Sequence, residues 1–269
     1  MRSPCRILLI IGVLGPGLLV AQAQSPKRDP ELDLGVKAYK NARYEEAIYH
    51  FEKAVANEPV NVTAHMYLAT TYAQNFIPGV DAPENVQFAE SAIAQYKRVL
   101  SLDASNANAA KGVAYLYLQM KKFDVAKEYY RKASGIDPND PENYYSMGVI
   151  DWTQTFQSRM ETRAKLELKP EQSMIYHREC WQVRDLNQEH VADGIEMLKK
   201  ALELRPDYDD AMAYMNLMYR ERADIQCGDG KASDADLKTA DDWVDLTLAT
   251  KKRKAEKEER KSPVTDEKR

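Results

Sequence analysis

Histidine and cysteine are scarce in this sequence, four and three among 269 residues. His50, His65, His177 and His190 stand too far apart for a ligand spacing such as H-E-x-x-H, and no paired-cysteine motif accompanies them. Glycine-rich phosphate loops and a G-x-S-x-G elbow are missing as well, so phosphoryl transfer and serine hydrolysis have no sequence support. No catalytic residue, metal ligand or cofactor is assigned, and a non-enzymatic protein is expected. With 11 Gly, 12 Pro and few runs of β-branched residues, a β fold has little to build on. Abundant Ala, Leu, Glu, Lys and Tyr favour helix nearly throughout, and the expectation is an all-α protein.

Long apolar runs are also lacking, except at the start. "MRSPCRILLIIGVLGPGLLVAQAQ" places Arg2 and Arg6 before an apolar run from Ile7 to Val20, followed by Ala21-Gln22-Ala23. This is the three-part design of a secretory signal over residues 1–23, cleaved after Ala23. The run is shorter than the roughly 20 residues of a spanning helix, and Gly15-Pro16 interrupts it. A retained anchor is the alternative. Removing the signal leaves Cys180 and Cys227, in a periplasmic or extracellular setting where disulfides persist. No membrane span is expected in the mature chain.

The formal charge of −4 hides an asymmetry. Residues 251–269 carry nine basic and five acidic side chains, whereas residues 24–250 sum to −10. An acidic body argues against nucleic acid as its partner. The charged end, with almost nothing to bury, is expected to fray into a disordered tail.

What the sequence does have is a recurring punctuation mark. "GIDPND" ending at Asp140 has looser copies in "ANEPVN" ending at Asn61, "SLDASN" ending at Asn106 and "ELRPDYDD" ending at Asp210. Stepping back from Pro138 by 34 residues reaches Ala104, and stepping forward by twice that reaches Pro206. Within Ala107 to Asp140, Val113, Ala114 and Tyr117 share one side of a first helix. Ala126, Tyr130 and Ala133 form a stripe on a second, after a break at Lys121 and Lys122. One such pair cannot bury its stripe alone, so neighbours must stack.

These positions resemble the tetratricopeptide repeat (TPR) family. Leu34-Gly35, Ala47, Phe51, Ala54 and Pro59 carry the pattern in a first unit. Leu68-Ala69, Tyr72, Ala92, Tyr96 and Val99 carry it in a second, and Val113-Ala114, Tyr117, Ala126, Tyr130, Ala133 and Pro138 in a third. A fourth has Tyr144, Met147-Gly148, Gly194, Leu198, Ala201 and Pro206, and a fifth begins with Ala211, Met212, Met215 and Tyr219. The resemblance implies a right-handed superhelical solenoid over 24–250, with units at about 28–61, 62–106, 107–140, 141–208 and 209–250. The second unit gains residues around "FIPGVDAPENVQ", and its second helix should start near Glu84. The fourth gains about 34 residues, read either as a protruding helical hairpin, with Trp152, Phe156, Met160 and Ala164 in one stripe, or as a degenerate repeat. A capping helix over 233–250 is expected, with Ser233 as N-cap and Leu237, Ala240, Val244 and Leu248 as its apolar stripe.

The resemblance also implies a concave groove lined by first helices. Carried onto this chain, its positions include Val36, Tyr39 and Lys40; Met66, Thr70 and Gln74; Lys111, Tyr115 and Gln119; and Tyr145, Val149 and Trp152. Each aromatic could instead pack between units. The carboxylate clamp of some family members is absent, because Leu32 and Val36 occupy its positions in the first unit. The favoured reading is an exported scaffold that binds a protein or peptide partner; the alternative is a component of a membrane-associated envelope assembly or secretion complex. One further expectation follows from helix lengths. Cys180 lies 26 residues before Pro206 and Cys227 lies 21 after it, so on antiparallel helices both reach similar heights and can pair, with a helix break near Asn187 or Gly228 absorbing the offset. Two unpaired buried thiols are the alternative.

Overall fold

The computed structural model describes residues 29–169 and 172–261. The segment 1–23, expected to be a signal, and the last residues, 262–269, lie outside them. Ten α-helices account for the described residues, running in antiparallel pairs. They are α1 (Pro30–Lys40) with α2 (Tyr44–Asn57), α3 (Val62–Asn75) with α4 (Pro83–Leu102), and α5 (Ala107–Gln119) with α6 (Phe123–Ile136). The last two pairs are α7 (Pro141–Lys165) with α8 (Glu179–Leu204), and α9 (Asp209–Asp224) with α10 (Gly230–Lys261). Packing runs between helices close in sequence, as a solenoid requires.

The recurrent punctuation is a set of helix caps. Asp29, Asn61, Asn106 and Asp140 each precede a first helix, and each side chain accepts a hydrogen bond from a first-turn backbone N–H, at 2.8 to 3.0 Å. These bonds satisfy donors that the helix itself leaves orphaned. Asn61 is thus occupied as a cap, and its amide nitrogen donates to Glu58. Pro83 opens α4, and the buried side chain of Asn85 holds the preceding loop by three hydrogen bonds to the backbone of Ile77 and Val80.

Small residues set the spacing between helices, with large ones filling between them. Phe51, Leu68 and Leu116 are fully buried among alanines at positions 38, 47, 54, 64, 109, 110 and 114. Gly148 and Gly194 lie where α7, α8 and α9 crowd together. A Cβ on Gly148 would stand 2.6 Å from Leu198 Cγ, and one on Gly194 would stand 2.5 Å from Met218 Cε. At Gly148 the branched Leu198 and the Gly194 carbonyl, 3.2 Å away, leave no room for a side chain, whereas at Gly194 the nearest atom is the movable end of Met218.

The fourth unit is a long hairpin of two uninterrupted helices, 25 and 26 residues in length, and not an extra repeat. Its far end does not project freely. Arg163 donates to the carbonyls of Lys169 and Gln172, the backbone N–H of Gly228 donates to Ile175 O, and Cys180 is bonded to Cys227 with Cα atoms 5.7 Å apart. The turn after α9 therefore clasps the hairpin tip. The offset is absorbed near Gly228, which has φ +78°, while α8 continues unbroken through Asn187.

The last helix differs from its sequence expectation. It starts at Gly230, three residues early, with Asp229 accepting from Ala232 N at 3.0 Å in place of Ser233. Ser233, Asp236, Ala240, Thr247 and Thr250 are its buried positions, whereas Leu237 and Leu248 are exposed. The polar end of α9 explains this register: Arg222 and Gln226 both donate to the carboxylate of Asp236, so α10 turns that residue inward. Helix also continues through residues 251–261, where disorder was expected, with Lys254 paired to Asp209.

Candidate ligand groove

The first helices of the pairs lie side by side, α1 against α3, α3 against α5 and α7 against α9. At the N-terminal end, Lys40 is exposed and, with Asp33, Val36, Lys37, Asn41 and Tyr67, lines a cavity of about 560 Å³. Tyr39 packs against Tyr44 and Tyr67, with ring centroids 5.8 and 6.1 Å apart, and burial raises its pKa. It is an inter-helix contact more than a free anchor. Met66 packs against the core formed by α3 to α6, and Gln74 is exposed.

In the middle, Lys111 is committed, its Nζ 2.7 Å from Asp140 Oδ2 at the cap of α7. Gln119 is half-buried, and Tyr115 is 48% exposed. Tyr115 leaves about half of its surface open to a partner.

The C-terminal end carries the largest feature. Tyr145, half-buried, lies 4.9 Å from Tyr208 and 5.6 Å from Tyr214; Trp152 lies 5.4 Å from Tyr214 and 4.9 Å from Phe156. Five rings thus form one continuous wall across α7 and α9. Burial raises the pKa of Tyr145, Tyr208 and Tyr214, so all three stay neutral hydrogen-bonding phenols. Such rings combine an apolar body with a polar edge, which suits a surface that is alternately wet and covered. Tyr214 and Tyr208 were not candidates from the sequence, because α9 was aligned on Met212 and Met215; the signal that could have found them is the spacing of tyrosines around the Pro206 punctuation.

Two buried charge clusters flank this wall. Asp151, fully buried on α7, accepts from Lys127 Nζ of α6 at 2.6 Å and from His190 Nδ1 of α8 at 3.0 Å; burial raises its pKa while the bonds from Lys127 and His190 oppose the rise. This cluster joins three helices. The other sits at the hairpin end, where Arg159 contacts Glu221 at 2.9 Å and Asp224 at 2.8 Å, and Arg163 contacts Asp224 at 3.1 Å. His50 pairs with Glu31 and His65 bonds to Gln95 and Pro59 O, so these histidines serve the fold. Among the described residues, no His, Cys, Asp or Glu group is arranged to hold a metal ion, and no helix is long and apolar enough to cross a membrane.

A stack of antiparallel helix pairs whose neighbours pack in sequence order defines a helical-repeat protein. Tetratricopeptide-repeat models match residues 32–75 and 89–147, so the chain carries tetratricopeptide repeats over those residues. Its fold is similar to that of MamA. One MamA crystal structure aligns with a TM-score of 0.57 at 16% identity, covering 84% of this chain and 92% of that one. Another aligns with a TM-score of 0.55 at 18% identity, covering 83% and 98%, and MamA from residue 41 to its end from Desulfovibrio magneticus RS-1 with 0.56 at 15%, covering 83% and 94%. At such identities the likeness is one of fold. No curated protein matches the sequence. A repeat fold of this family generally serves protein interaction without catalysis.

Proposed function

We propose that the protein is an exported, non-catalytic scaffold that holds a protein or peptide segment along the face of its first helices. The observation that carries this reading is the wall of Tyr145, Trp152, Phe156 and Tyr214, four half-covered rings on adjacent first helices. Large, rigid aromatic surfaces gain much from burial at little cost in conformational entropy. Export is supported by the N-terminal charge and apolar pattern and by the Cys180–Cys227 bond, which belongs to an oxidising compartment.

A photo-crosslinking residue placed at Tyr115, on the groove, is expected to trap a discrete partner in the native envelope. The same residue at exposed Glu128, on α6, is expected to trap none. Equal trapping at both positions would remove the groove. Sequencing of the purified N-terminus should begin at Gln24, and alkylation should find both remaining cysteines oxidised; an intact leader with free thiols would remove export.

A further inference from the structure

In an ordinary repeat the groove ends where the first helix ends, after about 14 residues, as in α3. Here α7 runs for 25 residues. From Trp152, near that point, its groove side keeps presenting large side chains beyond it: Phe156, 37% exposed, then Met160, 42% exposed. From Tyr145 to Met160 the ledge is roughly 22 Å long at 1.5 Å per residue.

The ledge runs into a cavity of about 480 Å³ between the hairpin, α9 and α10. Met160, Ala164, Leu168 and Leu237 form its apolar walls. Among the described residues that line it, the charged ones are Arg159, Arg163 and Arg220 with Asp224, while Glu221 and Asp241 pair with Arg159 and Arg220 from outside the lining. These guanidiniums are held from behind. Asp224 grips Arg159 and Arg163, Glu221 lies beneath Arg159 with 1% exposure, and the carbonyls of Lys169 and Gln172 take Arg163. Arg220, at the mouth and 42% exposed, donates to Asn216 and to Asp241, itself 69% exposed. Preformed, internally braced cations cost little further ordering when an anion arrives, and a guanidinium matches a carboxylate's planar geometry. An exposed pair such as Arg220–Asp241 exchanges partners at little cost.

We propose that the hairpin lengthens the groove by one anion-accepting pocket, and that the partner is a peptide segment whose apolar side chains lie on the Trp152–Phe156–Met160 ledge and whose acidic side chain enters among Arg159, Arg163 and Arg220. The proposal rests on the groove reading given above. An extended segment needs about seven residues to cover the ledge, at 3.3 Å each. The body's overall negative charge would repel an acidic segment elsewhere, so the pocket also fixes the direction in which the segment lies.

Selection of random dodecapeptides on the full chain tests this. Peptides displaced by the Trp152→Ala substitution are expected to show Asp or Glu at one end of an apolar stretch. For a selected peptide, Arg220→Ala should weaken binding about tenfold. Replacing the peptide's acid by its amide should cost the wild type as much and cost Arg220→Ala almost nothing. Leu237→Asp, a change at an exposed position, should weaken acidic peptides in the same way and leave the thermal midpoint in place. Groove-dependent peptides without acidic enrichment, or an acid whose loss costs both proteins equally, would overturn the pocket and leave the groove standing. Acidic peptides indifferent to Trp152 would overturn the continuity of ledge and pocket. A selection yielding no peptides would overturn both readings.

Discussion

Glu221 brings a carboxyl group into the contact between α9 and α7, with Arg159 and Arg163 facing it from α7 and Asp224 beside it on its own helix. Burial is the largest influence and pushes its pKa up to about 7, with Arg159 opposing and Asp224 assisting. The folded state therefore holds this proton more tightly than the unfolded chain does, and the sign follows from linkage. Stability from this group is complete below the unfolded value near 4.5 and is lost as pH rises towards 7. Glu221→Gln, which keeps the shape and cannot ionise, should flatten that part of the profile. Urea midpoints from pH 4.5 to 8 are expected to diverge from wild type by an amount on the order of 3 kcal/mol over the window. Parallel profiles would show that the arginines already compensate the charge. Asp151, whose pKa is also raised, contributes a slope of the same sign that persists in the variant.

At the scale of elements, the hairpin end and the α9–α10 turn depend on each other. The Cys180–Cys227 bond spans 47 residues and is buried beside the Arg163 network. Replacing both cysteines by serine should lower stability by about 2 to 4 kcal/mol in the chain-entropy picture. Hydrogen exchange should rise first around residues 172–178 and 225–230, where side-chain and backbone bonds converge on few helical turns. Unchanged exchange there would mean that Met174 and Ile175, both buried, hold the tip without the bond. Their burial and the disulfide also explain why the insertion packs back instead of standing clear of the stack.

The whole molecule is a chain of neighbouring interfaces, and its cores are local: one spans α1 to α3 around Phe51, whereas another joins α8, α9 and α10. Coupling between distant units is then weak. Phe51→Ala, which removes a fully buried ring packed over Gly35, should cost about 3 to 5 kcal/mol. Exchange protection should fall over residues 30–75 and stay at its wild-type level over 190–224. A uniform loss across both regions would show that the solenoid unfolds as one cooperative unit.

The sequence by itself determined whatever depends on local chemistry or on a fixed period. The caps at Asp29, Asn61, Asn106 and Asp140, the helix start at Pro83 and the small residues that seat Phe51 and Tyr96 all act within one or two units, so their spacing expresses their roles. Even the heights of Cys180 and Cys227 follow from counting residues along two helices. Only the tertiary structure decided which face α10 buries, because Asp236 is drawn inward by Arg222 and Gln226 across a turn, against the apolar pattern of Leu237 and Leu248. It likewise decided the groove's far end. Arg159 meets Asp224 across 65 residues, and Trp152 meets Tyr214 through a helix pair whose length no repeat period records. Charges and rings paired at such separations leave no periodic trace, since their energy depends on where the backbones bring them and not on their spacing along the chain.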